Sequence, residues 1–364
     1  QEHSEKRRAL SQDLNEQMAA IRNATASPAL MHDLADVWLN RFRDTPGETP
    51  LERFERYCDD GAQVLAAAES GFRQCVERND LPTVAEIIAL CIKQREHLIR
   101  QPCLLGMDLS WRDGETAIDA LGDETLCRMV AFRLTYGIGN SAAWLNYLAR
   151  RRARLVAGVL IEYANAALKS RQEVLNGSYE IAHDRSYCEV ARIAVPQLLE
   201  RFPLRVKAGQ LRHLEHLLSA ALGYSVARLP ELVEKKTSAK SMDVAQKVYW
   251  LAAAMLLDPE KHEAQLWGYI GNSWTRANYL AGFLSERSGG LSSRFELSPR
   301  TIGKLIELLS PHAELDWPAG GGLINDAMRR GDQIRSIVTR LGALGTGEAA
   351  QEVERLLALP TLNR

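Results

Sequence analysis

Apolar residues recur three and four positions apart along almost the whole chain, and the alternation that marks a half-buried strand is scarcely present. Nothing else in the sequence narrows the fold as much. After the helix-start pair Ser27-Pro28, the residues Leu30, Leu34, Val37, Trp38 and Phe42 fall on one face. Residues 61–76 repeat the pattern, and so do 82–99, which open on Pro82 and carry Val84, Ile87, Ile88, Cys91 and Ile92. The intervening "ERNDLP" reads as a short turn. The same periodicity predicts helices near 123–135, 142–170, 185–202, 208–222, 225–236, 242–257, 260–270, 274–286, 299–309, 322–343 and 347–359. Three Gly-, Ser- and polar-rich stretches, 102–117, 285–299 and 310–322, read as loops. Short connections between successive helices favour antiparallel neighbours.

One segment occurs twice. "GNSAAWLNYLA" at 139–149 and "GNSWTRANYLA" at 271–281 share seven of eleven positions. Gly-Asn-Ser before an apolar run is a helix entrance, because Asn and Ser satisfy free N–H groups and Gly permits the preceding turn. The offset corresponds to three units of about 44 residues, within the range of HEAT-type helix pairs. The expected fold is therefore all-α, a HEAT-like α-solenoid of stacked antiparallel helix pairs. It divides into N-terminal repeats (1–122), central repeats (123–298) and C-terminal hairpins (299–364) in one continuous array.

Composition removes several classes of function. With 46% hydrophobic and 25% charged residues over 364 positions, the chain can build a core and is not disordered. Its net charge of −1 supplies no global field for nucleic acid or anionic membrane. No uncharged stretch reaches the about 20 residues of a membrane span. The six cysteines (58, 75, 91, 103, 127, 188) show no CxxC pair and mostly lie in apolar stripes, so buried thiols and a cytoplasmic setting are expected. The start "QEHSEKRRALSQDL" lacks both a signal-peptide core and an initiator Met, and reads as a processed or excised piece.

Candidate chemistry is sparse. No GxxxxGK[ST] loop is present, and "YGIGNS" at 136–141 fits a helix cap better than a nucleotide fingerprint. His213 and His216 share a helix face beside Glu215, but HExxH spacing is absent. His-Asp pairs at 32–33 and 183–184 invite comparison with all-helical HD phosphohydrolases, for which His97 and Asp243 would have to converge on His183-Asp184. Asp184 is more simply the N-cap of the following helix. There is no GxSxG elbow, and cysteines in apolar stripes lack the setting that activates a thiol. The sequence therefore assigns no catalytic residue, no metal ligand and no cofactor. The one local charge concentration is "ARRRAR": Arg150, Arg151, Arg152 and Arg154, opposite Leu148, Leu155, Val159 and Leu160 on one long helix. Guanidinium groups there can meet carboxylates or phosphates, and they are the candidate contact for a partner or anion.

The C-terminal stretch "GDQIRSIVTRLGALGTGEAAQEVERLLALPTL" (331–362) places Ile334, Ile337, Val338 and Leu341 on one stripe. A Gly-Thr-Gly turn follows, and then Ala350, Val353, Leu356 and Leu357 form a second stripe. This hairpin resembles the helical-repeat region of large bacterial NTPases of the NACHT/STAND type, implicated in anti-phage defence. The resemblance implies a non-catalytic interaction or sensor module, either a piece of a longer polypeptide or a free-standing relative, whose partner is a protein, or the NTPase or effector domain of the same polypeptide. The hairpin reads as an interior repeat rather than a polar cap, so the polypeptide is expected to continue past Arg364, where a further element would cover Val353, Leu356 and Leu357. Two other readings stand beside it: an all-helical, HD-like metal-dependent hydrolase, and a nucleic-acid-binding helical scaffold, which the charge balance disfavours.

Overall fold

The computed structural model describes residues 2–42, 45–136, 142–284, 297–313 and 326–360. Three quarters of the chain is helical, against the usual third, and no strand occurs among the described residues. Chain contacts divide it into two compact units, Gln1–Ser170 and Arg171–Arg364.

The first unit contains α1 (Glu2–Glu16), α2 (Met18–Arg22), α3 (Pro28–Trp38), α4 (Pro50–Tyr57), α5 (Gly61–Cys75) and α6 (Val84–Ile92). It continues with α7 (Arg100–Asp113), α8 (Glu115–Asp119), α9 (Asp123–Thr135), α10 (Ala143–Arg151) and α11 (Ala153–Lys169). Local chemistry sets several of the starts. Ser27 accepts the Leu30 N–H ahead of Pro28, and Thr49–Glu52 and Thr83–Glu86 form reciprocal capping boxes before α4 and α6. Phe54, Phe72, Phe132, Trp144, Met31 and Leu34 are sealed in the core of this unit.

Helices cross there with almost no space between backbones. A Cβ on Gly106 of α7 would fall on the Phe72 carbonyl of α5, and one on Gly71 of α5 would fall on the Ile21 carbonyl of α2. A nearby corner is fastened by a buried cation. The Arg53 guanidinium donates to the carbonyls of Val37 (3.0 Å), Trp38 (2.5 Å), Gly47 (2.7 Å) and Glu48 (3.1 Å). It thereby satisfies the last turn of α3, where a positive charge also meets the negative end of the helix dipole.

The second unit holds α12 (Ser178–His183), a 3₁₀ turn (Arg185–Tyr187), α13 (Cys188–Arg201), α14 (Ala208–Gly223), α15 (Leu229–Thr237) and α16 (Val244–Leu257). After these come α17 (Pro259–Ile270), α18 (Trp274–Leu284), α19 (Pro299–Leu309), α20 (Asp326–Ala343) and α21 (Gly347–Leu357). Asp258, Ser298 and Thr346 cap α17, α19 and α21. Here too a buried cation ends a helix. Lys236 Nζ donates to the Phe202 carbonyl at 2.7 Å, Gln246 Nε2 donates to the Pro203 carbonyl at 2.7 Å, and Asp243 accepts from the Val206 N–H. Burial pushes the Lys236 ammonium down to about 8.

Several expectations require correction. The helical stretches expected over 28–42 and 82–99 stop at Trp38 and Ile92, with Asn40 at φ 59° and Gln94 at φ 56° just beyond them. The stretch 102–117 is not a loop: Arg100–Asp113 is a continuous helix, followed by Gly114 at φ 122° and then α8. Pro102 stands in its first turn, where no N–H is needed, and Gly106 is where α5 approaches. Leu104, Leu105, Met107 and Leu109 are all buried, so the helix has no polar face to give it a period. The long helix over 142–170 is two helices, broken at Arg152 (φ −128°, ψ 44°). Residues 185–202 begin as a 3₁₀ turn before α13. The helices α1, α2, α4, α8 and α12 are additional to those the periodicity predicts.

Of the repeated segment, 139–141 lie outside the described residues, as do 285–296 and 314–322 of the two expected loops. In the second copy, Ser273 Oγ accepts the Arg276 N–H at 3.4 Å and Gly271 takes φ 54°, so that copy is a helix entrance. The C-terminal hairpin forms as α20 and α21, joined through Gly345 at φ 62° and packed with α19. Ile334, Leu341, Ala349 and Leu356 are buried, whereas Val338 and Leu357 are exposed.

Candidate functional site

The arginine run lies across the break between α10 and α11. Arg152 occupies the break: its N–H bonds the Leu148 carbonyl at 2.7 Å and its guanidinium pairs with Asp123 at 2.7 Å. Arg150, Arg151 and Arg154 are exposed and make no ion pair with any described residue. On the inner side Leu148, Val156, Val159 and Leu160 are buried, while Leu155 is half-buried. One arginine is thus structural and three are solvated charges. Because the helix stops at Arg151 and restarts at Ala153, the four do not wind around a single circumference.

A second concentration of functional groups lies between α12 and α14. Ser178 and Gly177 open α12, with Gly177 in the left-handed region at φ 85°. Ser178 Oγ lies 3.0 Å from His213 Nδ1, and His213 Nε2 lies 2.8 Å from the Glu173 carbonyl, so that ring donates to the backbone. At the other end of α12, His183 Nε2 lies 3.3 Å from His216 Nδ1 with the ring planes at 87°. Tyr179, 55% exposed, covers the pair, with its centroid 4.4 Å from the His183 ring and 5.7 Å from that of His216. Burial lowers His213, and burial followed by the neighbouring His183 lowers His216 to about 3, so both are neutral near pH 7.

The residues considered for an HD-type centre each have another local partner. Asp184 caps the 3₁₀ turn through the Ser186 N–H at 2.8 Å, as its position before that segment suggests. Asp243 is engaged with Val206, and His97, which belongs to the first unit, accepts the Ile99 N–H at 3.3 Å. His32 pairs with Asp36 at 3.5 Å and contacts the Leu98 carbonyl. Among the described residues, no group of three or more His, Cys, Asp or Glu is arranged to hold a metal ion. The i, i+3 spacing of His213 and His216 is legible in the sequence; the approach of His183 is a tertiary contact that no local pattern announces.

Other groups are already committed. An open cleft of about 530 Å³ lies along α6, lined by Asp80, Pro82, Glu86, Lys93 and His97 among others. Asp80 is clamped by Arg78, and Glu86 completes the α6 capping box. All six cysteines are free; burial pushes Cys58 up to about 11 and Cys75 up to about 12, and Cys103 is raised well above the ordinary range. Such thiols are poor nucleophiles at neutral pH. No described helix is long and apolar enough to cross a membrane.

The fold class shown is all-α. No family model, no curated protein and no solved structure matches this chain.

Proposed function

We propose that this chain is a helical interaction or sensor module, built as HEAT-like stacked helix pairs and serving an NTPase or effector domain of a larger bacterial defence-type polypeptide. The observation that carries the reading is the trio Arg150, Arg151 and Arg154: three exposed cations close together in sequence, without a carboxylate partner among the described residues. Free guanidinium groups on a rigid helical support suit an acidic protein surface. The exposed Val338 and Leu357 on the terminal hairpin fit a neighbouring element of the same architecture.

The natural coding sequence around this chain is expected to encode an NTPase or effector domain in the same frame. When that domain is expressed separately, it should co-purify with this chain. Arg150→Glu with Arg151→Glu should weaken that association while leaving the melting temperature within a degree or two. An isolated reading frame with full biological activity, or capture indifferent to charge reversal and to salt, would refute the reading. Capture of DNA or RNA instead, falling steeply with added salt, would favour the nucleic-acid scaffold.

A further inference from the structure

A tyrosine stands just ahead of each copy of the repeated segment, and each of the two carries a pair of cations. Tyr136 precedes Gly139 by three residues and Tyr269 precedes Gly271 by two. In the first unit the Arg41 and Arg100 guanidinium groups lie over the Tyr136 ring, 5.6 and 4.5 Å from its centroid. In the second unit Lys247 Nζ and the Arg276 guanidinium lie over the Tyr269 ring at 5.2 and 4.6 Å. A ring quadrupole attracts such cations but leaves their net charge uncancelled.

The two arrangements differ in their counter-charge. Asp36 lies 3.6 Å from Arg41, and Glu96 pairs with Arg100, so two carboxylates of the first unit complete the arrangement at Tyr136. At Tyr269 the Arg276 guanidinium donates one N–H to the Tyr269 carbonyl at 2.5 Å, and neither Arg276 nor Lys247 makes an ion pair with any described residue. The second copy thus lacks the two carboxylates that the first possesses.

The helix order puts these groups at one edge of the second unit. Lys247 is in the first turn of α16, Tyr269 in the last turn of α17 and Arg276 in the first turn of α18, and α16 packs against both of the other helices. All three residues are half-buried and so reach solvent. Two residues before Arg276, Trp274 is 38% exposed, with the His312 ring 4.6 Å away and the Arg330 guanidinium 5.4 Å from its centroid. Trp, Tyr and Arg are the side chains that most often carry the binding energy of protein interfaces. A single-stranded nucleic acid would need open aromatic faces for its bases, whereas these rings already hold cations.

We propose that this edge binds an acidic segment of a partner protein, two of whose carboxylates take at Lys247 and Arg276 the places that Asp36 and Glu96 fill at Arg41 and Arg100. The proposal concerns the second unit alone and does not rest on the arginine run of the first.

The test uses the whole chain and three fluorescein-labelled probes read by anisotropy: a short Glu-rich peptide, its Gln-for-Glu counterpart, and oligothymidylate. The wild type should bind the Glu-rich peptide and not the Gln counterpart, a comparison that depends on no variant folding. Lys247→Gln and Arg276→Gln should each weaken binding at least about tenfold, as expected for a lost hydrogen bond to a charged group. Lys247→Arg and Arg276→Lys, which keep the charge, should restore most of it. Arg150→Glu with Arg151→Glu should leave it unchanged, which separates this edge from the surface proposed above. Equal binding of the two peptides, no binding of the Glu-rich peptide, or Gln variants that bind it like wild type would each overturn the proposal. So would loss of binding on reversing Arg150 and Arg151, or tighter binding of oligothymidylate than of the Glu-rich peptide.

Discussion

Glycine-to-alanine exchange in mid-helix should have opposite signs at two positions of the first unit. On propensity alone, alanine stabilises a helix by about 0.8–1.0 kcal/mol. At Gly158 in α11, an added Cβ meets nothing within 4 Å, so that gain should appear almost undiminished. At Gly106 in α7, the same methyl falls on the Phe72 carbonyl of α5, a backbone group that cannot rotate away. Overpacking of this kind costs about 1–3 kcal/mol and sometimes more. The α5–α7 crossing must open along its length, which puts the cost at the upper end, about 3 kcal/mol, and leaves a net loss of about 2 kcal/mol after the propensity gain is subtracted. For a unit of this size each kcal/mol corresponds to about 2–4 °C. Gly106→Ala should therefore melt about 4–8 °C lower and Gly158→Ala about 2–4 °C higher, read by circular dichroism at the helix band. Gly71→Ala, facing the Ile21 carbonyl, should follow Gly106→Ala. A Gly106→Ala chain melting at or above the wild-type temperature would refute the close crossing.

The remaining expectations concern the buried cations and the arginine run. Arg53→Lys keeps the charge but supplies at most three donors on a single nitrogen for four carbonyls, and should cost about 1–3 kcal/mol in denaturant titration for each acceptor left bare. Lys236, pushed down to about 8 from an ordinary 10.5, binds its proton more weakly folded than unfolded. The stability of the wild type relative to Lys236→Met should therefore rise with pH from about 8 to 10.5 and be flat below that window; a falling difference would reverse the assignment. Single reversals at exposed Arg150 or Arg154 should change stability by less than about 0.5 kcal/mol, whereas Arg152→Glu sets like charges beside Asp123 and should be clearly worse.

Helix existence was legible for most of the longer segments in which a polar face alternated with a buried one and a side chain announced the start, whereas the eight-residue α4, for all its Thr49–Glu52 capping box, is too short to show a period. Ser27-Pro28, Asp258-Pro259 and Ser298-Pro299 all open helices where the pattern says they should. For α7 the reason was different: it is buried on most of its circumference and carries Pro102 and Gly106, two residues that ordinarily interrupt helices. Its helicity is imposed by what packs around it, which one-dimensional periodicity cannot register. The break at Arg152 was hidden for the opposite reason. Good helix formers run straight through it, and the interruption coincides with a tertiary bond to Asp123. For the candidate site, His213 and His216 were visible as neighbours on a helix face. Their separate fates, one tied to backbone and the other to His183, depend on where α12 docks.

The Arg53 corner has a consequence for how the first unit comes apart. Its guanidinium is satisfied only when the end of α3, the 47–48 backbone and α4 are all in place. Any partial opening strands a desolvated cation among carbonyls that have moved away, and such half-open states are costly. Amide protons at the end of α3 and throughout α4 should then exchange with solvent at one common rate, as a single cooperative block, although α4 is only eight residues long and would ordinarily fray.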